Sequence, residues 1–313
     1  MIKIIFPDGQ IKEYSKGITP MDIALSISEG LARNVLAAKL NDQVVDSSTP
    51  ILLDSNLQLL TWNDVEGKKT FWHSSAHLLA EAIEFLYPRT KFGIGPAIEN
   101  GFYYDIDLGG QEFGQEQFKA IEDKMLELAR LKLDYVRKEI SKKDAIQYFT
   151  LKKDEYKLEL LEGLSDGDIT FYSQGNFTDL CKGPHIPSTS FIKAVKVLSV
   201  AGAYWRGNEK NPMMTRLYGI TFPKQAELDA YLTMIEEAKK RDHRKIGKEL
   251  SIFAFDDMVG PGLPLWLPNG GIMIEELERL AKEDEEAHGY HRVVTPHIAK
   301  EELYLTSGHL PYY

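Results

Sequence analysis

Four side chains in this sequence of 313 residues have the types and spacing to do chemistry together: His73, His77, Cys181 and His185. His73 and His77 stand four apart in a stretch that reads as helix, so both rings project from one face and can share one target. On a helical projection Trp72, Ala76, Leu79, Ile83 and Tyr87 form the apolar stripe, and the histidines lie at its edge, which suits the wall of a cleft. Far along the chain, Asp179-Leu180-Cys181-Lys182-Gly183-Pro184-His185 sets a thiol and an imidazole on either side of a Gly-Pro turn that can aim both into one space. Taken together, His-x3-His and Cys-x3-His have the ligand types of tetrahedral zinc. Either pair alone is explained as well by boundary histidines or an inert buried thiol. Two such pairs in a chain with only eight histidines and one cysteine favour a shared site.

The cluster supports three routes to hydrolysis. A metal held by the four residues would bring the pKa of a bound water toward neutrality and deliver hydroxide to a carbonyl. Without a metal, a neutral histidine could take a proton from water, because its unperturbed pKa of about 6.5 suits that task. Cys181 could instead attack an ester itself, if Lys182 and a charged histidine lower its pKa. The residues alone leave all three open.

The elements that must position these groups follow from patterning. Residues 1–62 alternate strands around one helix: Ile2, Ile4 and Phe6 alternate with polar positions, Pro7-Asp8-Gly9 turns, and 10–14 returns as a hairpin partner. Thr19-Pro20 supplies an N-cap and first helical residue, with Ile23, Ile27 and Leu31 continuing one face, and 37–40, 44–45 and 57–60 supply the remaining strands. Residues 63–223 read as an α+β domain with helix at 70–86, strand at 102–108, helix at 116–133, more helix around 142–161, and β structure from 169 to 217. A basic connector helix is expected over 227–245 within a linker at 224–246, and an amphipathic helix over 272–288.

Composition bounds the rest. Hydrophobic residues at 43% and charged residues at 27% exclude a disordered or fibrous chain. A lone cysteine cannot form an internal disulfide, no apolar run reaches membrane-spanning length, and the start lacks a signal peptide's apolar stretch, so a cytoplasmic protein without a membrane partner is expected. The net charge of −10 argues against a polyanionic partner until it is counted by segment. Cations then gather in 182–216, which includes Arg206, and at Lys239, Lys240, Arg241, Arg244 and Lys245, two candidate polyanion-binding stripes.

The first 62 residues resemble the β-grasp fold of the TGS domain. A wider resemblance rests on His73-Ser74-Ser75-Ala76-His77, Gly101-Phe102-Tyr103-Tyr104-Asp105, residues 156–161, the Asp179 to His185 stretch, residues 198–207 and Arg241-Asp242-His243-Arg244-Lys245. By their order and spacing, the chain resembles the N-terminal portion of the bacterial threonyl-tRNA synthetases. That resemblance implies a TGS domain, a domain over 63–223 that edits mischarged seryl-tRNA-Thr by hydrolysis, and the opening of a class II synthetase domain over 247–313. It implies that His73, His77, Lys157, Asp179, Cys181 and His185 line the editing pocket, with Tyr104 beside it capping the terminal adenosine by stacking. Family editing is expected to use water positioned by the protein, with no metal required. Lys182, Ser190, Val195 and Ile274 depart from residues more usual in the family.

Physics explains why such a site would be needed: serine lacks one methyl of threonine, worth only about 1–3 kcal/mol of discrimination. Residues 289–298 fit the first class II motif, a helix feeding a strand at a dimer interface. No glycine-rich stretch leads to a Gly-Lys-Ser/Thr phosphate loop. The later motifs that hold ATP and Mg2+, and the zinc ligands for threonine, are expected outside this chain. The implied partners are tRNA-Thr and a second subunit in a homodimer. The rival readings are a free-standing zinc-dependent ester hydrolase and a non-catalytic RNA-binding or dimerisation module.

Overall fold

The computed structural model describes residues 1–111 and 113–310. It divides the chain into two compact units, Met1–Leu232 and residues from Thr233 onward. The first unit begins with the hairpin Ile2–Ile5 and Ile11–Tyr14. Alternation holds here, with Ile2 and Ile4 buried and Lys3 and Ile5 exposed. Ile2–Ile5 also pairs in parallel with Ser55–Leu60, which runs antiparallel to Ala37–Leu40, giving a mixed five-stranded sheet. Helix Pro20–Ile27 starts at a capping box, in which the Thr19 hydroxyl accepts from the Asp22 N–H and Asp22 accepts from the Thr19 N–H. It drives Ile23 into a core of Ile2, Ile4, Ala38, Ile51 and Leu57. The expected continuation of this face through Ile27 and Leu31 fails. Ser28, with extended backbone, caps a second short helix at Glu29–Ala32, and Ile27 is left exposed.

The helix expected at 70–86 runs over Val65–Leu86. It is buried on nearly every side over its middle turns, where His77 is fully buried and His73 is half-buried at the wall of a cavity. One side meets an antiparallel sheet with the order Ala194–Tyr204, Met213–Phe222, Gly101–Asp107, Lys91–Phe92, where the Trp72 indole donates to the Thr221 carbonyl at 3.0 Å. Helix Phe118–Arg130 packs alongside it. A separate sheet of Val136–Glu139, Thr170–Gln174 and Phe177–Leu180 brings the Cys181 segment back to the long helix. Between the first two of these strands the expected helical stretch is two helices, Lys142–Lys152 and Glu155–Glu162. Lys153 adopts a left-handed φ of 57° at the break, and Asp154 caps the second helix by accepting from the Lys157 N–H. That break turns Lys157 inward.

Helix Gln225–Lys240 is followed by a separate helix, His243–Glu249, rather than one helix to residue 245. Asp242 is the reason: its carboxylate accepts from the Arg244 N–H at 2.8 Å and starts a new helix. The second unit continues with the two-residue strands Phe253–Ala254 and Leu265–Trp266 and with helix Pro268–Ala287, which begins on its proline four residues before the expected start. No strand forms over 290–298, because among the described residues no neighbouring strand offers it a ladder of hydrogen bonds. The last three positions of the expected 247–313 segment lie outside the described residues. Among those described, no helix is long and apolar enough to cross a membrane.

Candidate active site

The long helix and the loop at 181–185 meet. The Cys181 N–H donates to the Thr170 carbonyl at 3.0 Å, which holds the loop to its sheet. Gly183 then turns it with φ +72°, and an added Cβ would lie 2.1 Å from the Tyr172 hydroxyl oxygen, so the position tolerates only glycine. His185 arrives with its ring centroid 4.4 Å from that of His73 and 4.3 Å from that of His77. The ligand atoms of His73, His77, Cys181 and His185 all lie within 4.8 Å of one another, so in type and proximity they could hold a metal ion.

Hydrogen bonds assign the tautomers. The Ser74 hydroxyl spends its only proton on the Thr70 carbonyl at 2.9 Å, so it must accept from His185 Nδ1–H at 3.0 Å. His73 Nδ1 faces the Pro184 carbonyl at 3.3 Å and must likewise carry a proton. Both rings therefore turn bare Nε2 lone pairs toward Cys181 Sγ, each at 3.3 Å. One thiol proton can satisfy only one of them. The other lone pair can take a proton from water or bind a cation.

Burial sets the charge states. His73, His77 and His185 are all held below the usual histidine range by desolvation, His77 to about 3, so the three rings are neutral at pH 7. Desolvation also pushes the Cys181 thiol up to about 12. The expectation that Lys182 and a charged histidine activate this thiol is thus reversed: the rings carry no charge, and burial disfavours the thiolate.

A cavity of about 370 Å³ opens from His73, His77 and Cys181 past residues 93–96 to Lys157 and Asp179. Lys157 Nζ stands 2.6 Å from Asp179 Oδ1 with both side chains almost fully buried. Burial would raise the Asp179 carboxyl, but Lys157 and the hydrogen-bonding neighbours, Tyr104 among them, together outweigh it and hold the group below its ordinary value. Both carboxylate oxygens are engaged, since Oδ1 also accepts the Leu180 N–H at 2.8 Å and Oδ2 accepts the Tyr104 phenol. Tyr104 is itself buried, and its ring lies so close to Gly95 that an added Cβ there would be 2.3 Å away. The expected stacking of Tyr104 on an adenosine is therefore corrected: no ring face is open, and the residue braces Asp179 from behind.

The remaining expected contacts lie elsewhere. Arg206 is exposed, pairs with Glu159 at 3.1 Å and does not line the cavity. Lys239, Lys240, Arg241, Arg244 and Lys245 belong to the second unit. Four of these five stand against acids: Lys239 with Glu236, Lys240 with Glu237, Arg244 with Asp242 and Lys245 with Glu249. Sequence reasoning passed over Ser74, although it lies inside the His-x3-His stretch. It also missed Tyr135, whose ring stacks on His185 at 5.0 Å, together with Tyr172 and Asp46. Only Ser74 had a local signal, a hydroxyl one residue from a candidate histidine.

Comparison with known proteins agrees with this architecture. Residues 2–61 match the TGS domain, and residues 169–218 match the threonyl and alanyl tRNA synthetase second additional domain. Over 313 residues the chain is 68% identical to a threonine–tRNA ligase of Cytophaga hutchinsonii and 54% identical to one of Flavobacterium johnsoniae. It is 57% identical over 314 residues to one of Porphyromonas gingivalis. Each match covers 100% of this chain and 48% of the relative, so the chain spans about half the length of the curated relatives it matches. The chain thus combines a multidomain α+β fold with matches to the TGS domain and to the threonyl and alanyl tRNA synthetase second additional domain, and it is similar along its whole length to about half of each threonine–tRNA ligase.

Proposed function

We propose that the residue 63–223 region hydrolyses the ester of seryl-tRNA-Thr and so edits the product of a threonine–tRNA ligase. The observation that carries this reading is a cluster of three neutral imidazoles and a thiol, of which His73, His77 and Cys181 line one 370 Å³ cavity together with a buried lysine, with His185 buried against them. Water in the cavity is the nucleophile, and the spare Nε2 lone pair of His73 or His185 accepts its proton as it attacks the ester carbonyl. Such a lone pair is a weak base, but here it need not first shed a proton or a charge. Lys157 keeps donor capacity beyond its bond to Asp179, so it recognises the serine hydroxyl or the developing oxyanion. Asp179 has no oxygen to spare and acts by holding Lys157. The reading requires the site to exclude the extra methyl of threonine, a difference worth about 1–3 kcal/mol. The same four donors could hold zinc, which would supply a bound hydroxide.

In the longer enzyme we place this activity behind an ATP-dependent aminoacylation that uses Mg2+ and Zn2+ at sites beyond this chain, in a cytoplasmic homodimer acting on tRNA-Thr. Boundaries at 62, 223 and 246 would separate the TGS domain, the editing domain, the linker and the start of the class II domain. Ligase relatives matching the whole chain give no support to a free-standing hydrolase or a non-catalytic module. The test incubates seryl-tRNA-Thr and threonyl-tRNA-Thr separately with the chain. Rapid loss of the seryl ester alone is expected, and equal loss of both at the buffer rate would refute the proposal. Elemental analysis with chelator treatment separates the water and zinc routes.

A further inference from the structure

We infer that Asp46, a residue of the β-grasp domain, is a positioning residue of the hydrolytic site, holding the 181–185 loop and the His185 ring through two hydrogen bonds. This rests on the proposed editing activity and extends the site across the domain boundary. Asp46 follows strand Gln43–Val45, and its place is secured within its own domain: the Thr49 N–H donates to the Asp46 carbonyl at 3.0 Å, and the Met21 N–H to the neighbouring Ser47 carbonyl at 2.9 Å. From that anchor its carboxylate reaches across. Oδ1 accepts the backbone N–H of His185 at 2.7 Å, and Oδ2 accepts the Tyr172 hydroxyl at 2.6 Å.

These two bonds govern the degrees of freedom that matter. The Tyr172 ring packs on the His185 imidazole at 4.4 Å, and its hydroxyl occupies the space left by the missing Cβ of Gly183. Ser74 fixes which His185 nitrogen carries the proton. The backbone at 181–186 forms no strand; the Thr170 carbonyl holds it at Cys181 and the Ser74 hydroxyl at Ile186, and Asp46 supplies the restraint at His185 itself. Losing it frees the ring to move relative to the cavity while both domains keep their own cores. Ester attack is steep in such displacements, with about a hundredfold lost per ångström of misplacement.

The experiment measures seryl-tRNA-Thr deacylation by the chain and its Asp46→Ala, Asp46→Asn and Tyr172→Phe variants, with thermal unfolding to confirm folding. Asp46→Ala should lower kcat about tenfold or more with KM changed less than about twofold, because the bound ester is misaligned rather than unbound. Asp46→Asn still accepts from the His185 N–H and should stay within about threefold of the parent chain, and Tyr172→Phe should fall between the two. A folded Asp46→Ala chain with unchanged kcat overturns the inference; if that variant does not fold, an unchanged Tyr172→Phe does so. An inactive parent chain would instead defeat the editing proposal. In that case NMR of the His185 imidazole decides separately: its resonances should shift in Asp46→Ala and hold in Asp46→Asn, and no shift in either overturns the inference.

Discussion

The Lys157–Asp179 pair gives the sharpest quantitative test. Each side chain is almost fully buried, and the charged atoms are 2.6 Å apart. Lys157→Met leaves Asp179 with two donors, the Tyr104 phenol and the Leu180 N–H, and no cation. Removing one partner of such a pair costs about 3–5 kcal/mol, because the remaining charge is buried without compensation. For a unit of this size that lowers Tm by roughly 10 °C. Asp179→Asn should cost a similar amount by stranding the ammonium. The double variant Lys157→Met/Asp179→Leu buries no charge and should be no less stable than either single variant. The assay is urea unfolding of all four proteins at pH 7. A Lys157→Met loss below about 1 kcal/mol, the value of an exposed pair, would refute the burial argument, and so would additive single losses. The pH dependence has a fixed sign. Because the Asp179 carboxyl is depressed in the folded state, its contribution is present above about pH 4 and is lost as pH falls through the lower folded value. Lys157→Met removes the main attraction behind that depression, so the variant should lose less stability on acidification.

Two further outcomes follow from other buried groups. With its thiol pushed up to about 12, Cys181 should react with iodoacetamide at pH 8 more slowly than free cysteine by roughly a thousandfold; a rate near that of the free amino acid, measured by mass spectrometry, would contradict the burial. Glu81 is buried with an unpartnered Oε2, and desolvation raises its carboxyl to about 7. A raised carboxyl favours the folded state below the unfolded value and loses that advantage as pH rises through 7. Glu81→Gln should therefore gain stability over the parent chain at pH 8 and little at pH 5, and a difference independent of pH in urea unfolding would count against this.

Much of the scaffold was legible because its signals are short-range. The Thr19 capping box, the Ile2 and Ile4 alternation and the i,i+4 placement of His73 and His77 each depend on backbone geometry spanning a few residues, which neighbouring side chains reveal directly. Where local signals competed, the reading slipped: Ser28, Lys153 and Asp242 each interrupt a helix that apolar periodicity alone would continue. Residues 290–298 show the opposite limit, since a strand exists only where another strand pairs with it.

By itself, the sequence determined which residue types are available and which helix faces and turns carry them: two histidines on one face, a thiol and a third histidine across a Gly-Pro turn, and a β-grasp domain ahead of them. Tertiary structure decided what those groups are. Lys157 is a buried cation because Asp179 approaches from another element, and Tyr104 braces that carboxylate because Gly95 covers its ring. The histidines are neutral and Cys181 stays a thiol because burial disfavours their charged forms, and Asp46 enters the site from 139 residues away. Charge state, tautomer and alignment depend on desolvation and on hydrogen bonds between distant segments. No local spacing encodes these, because they come into being only when the segments pack.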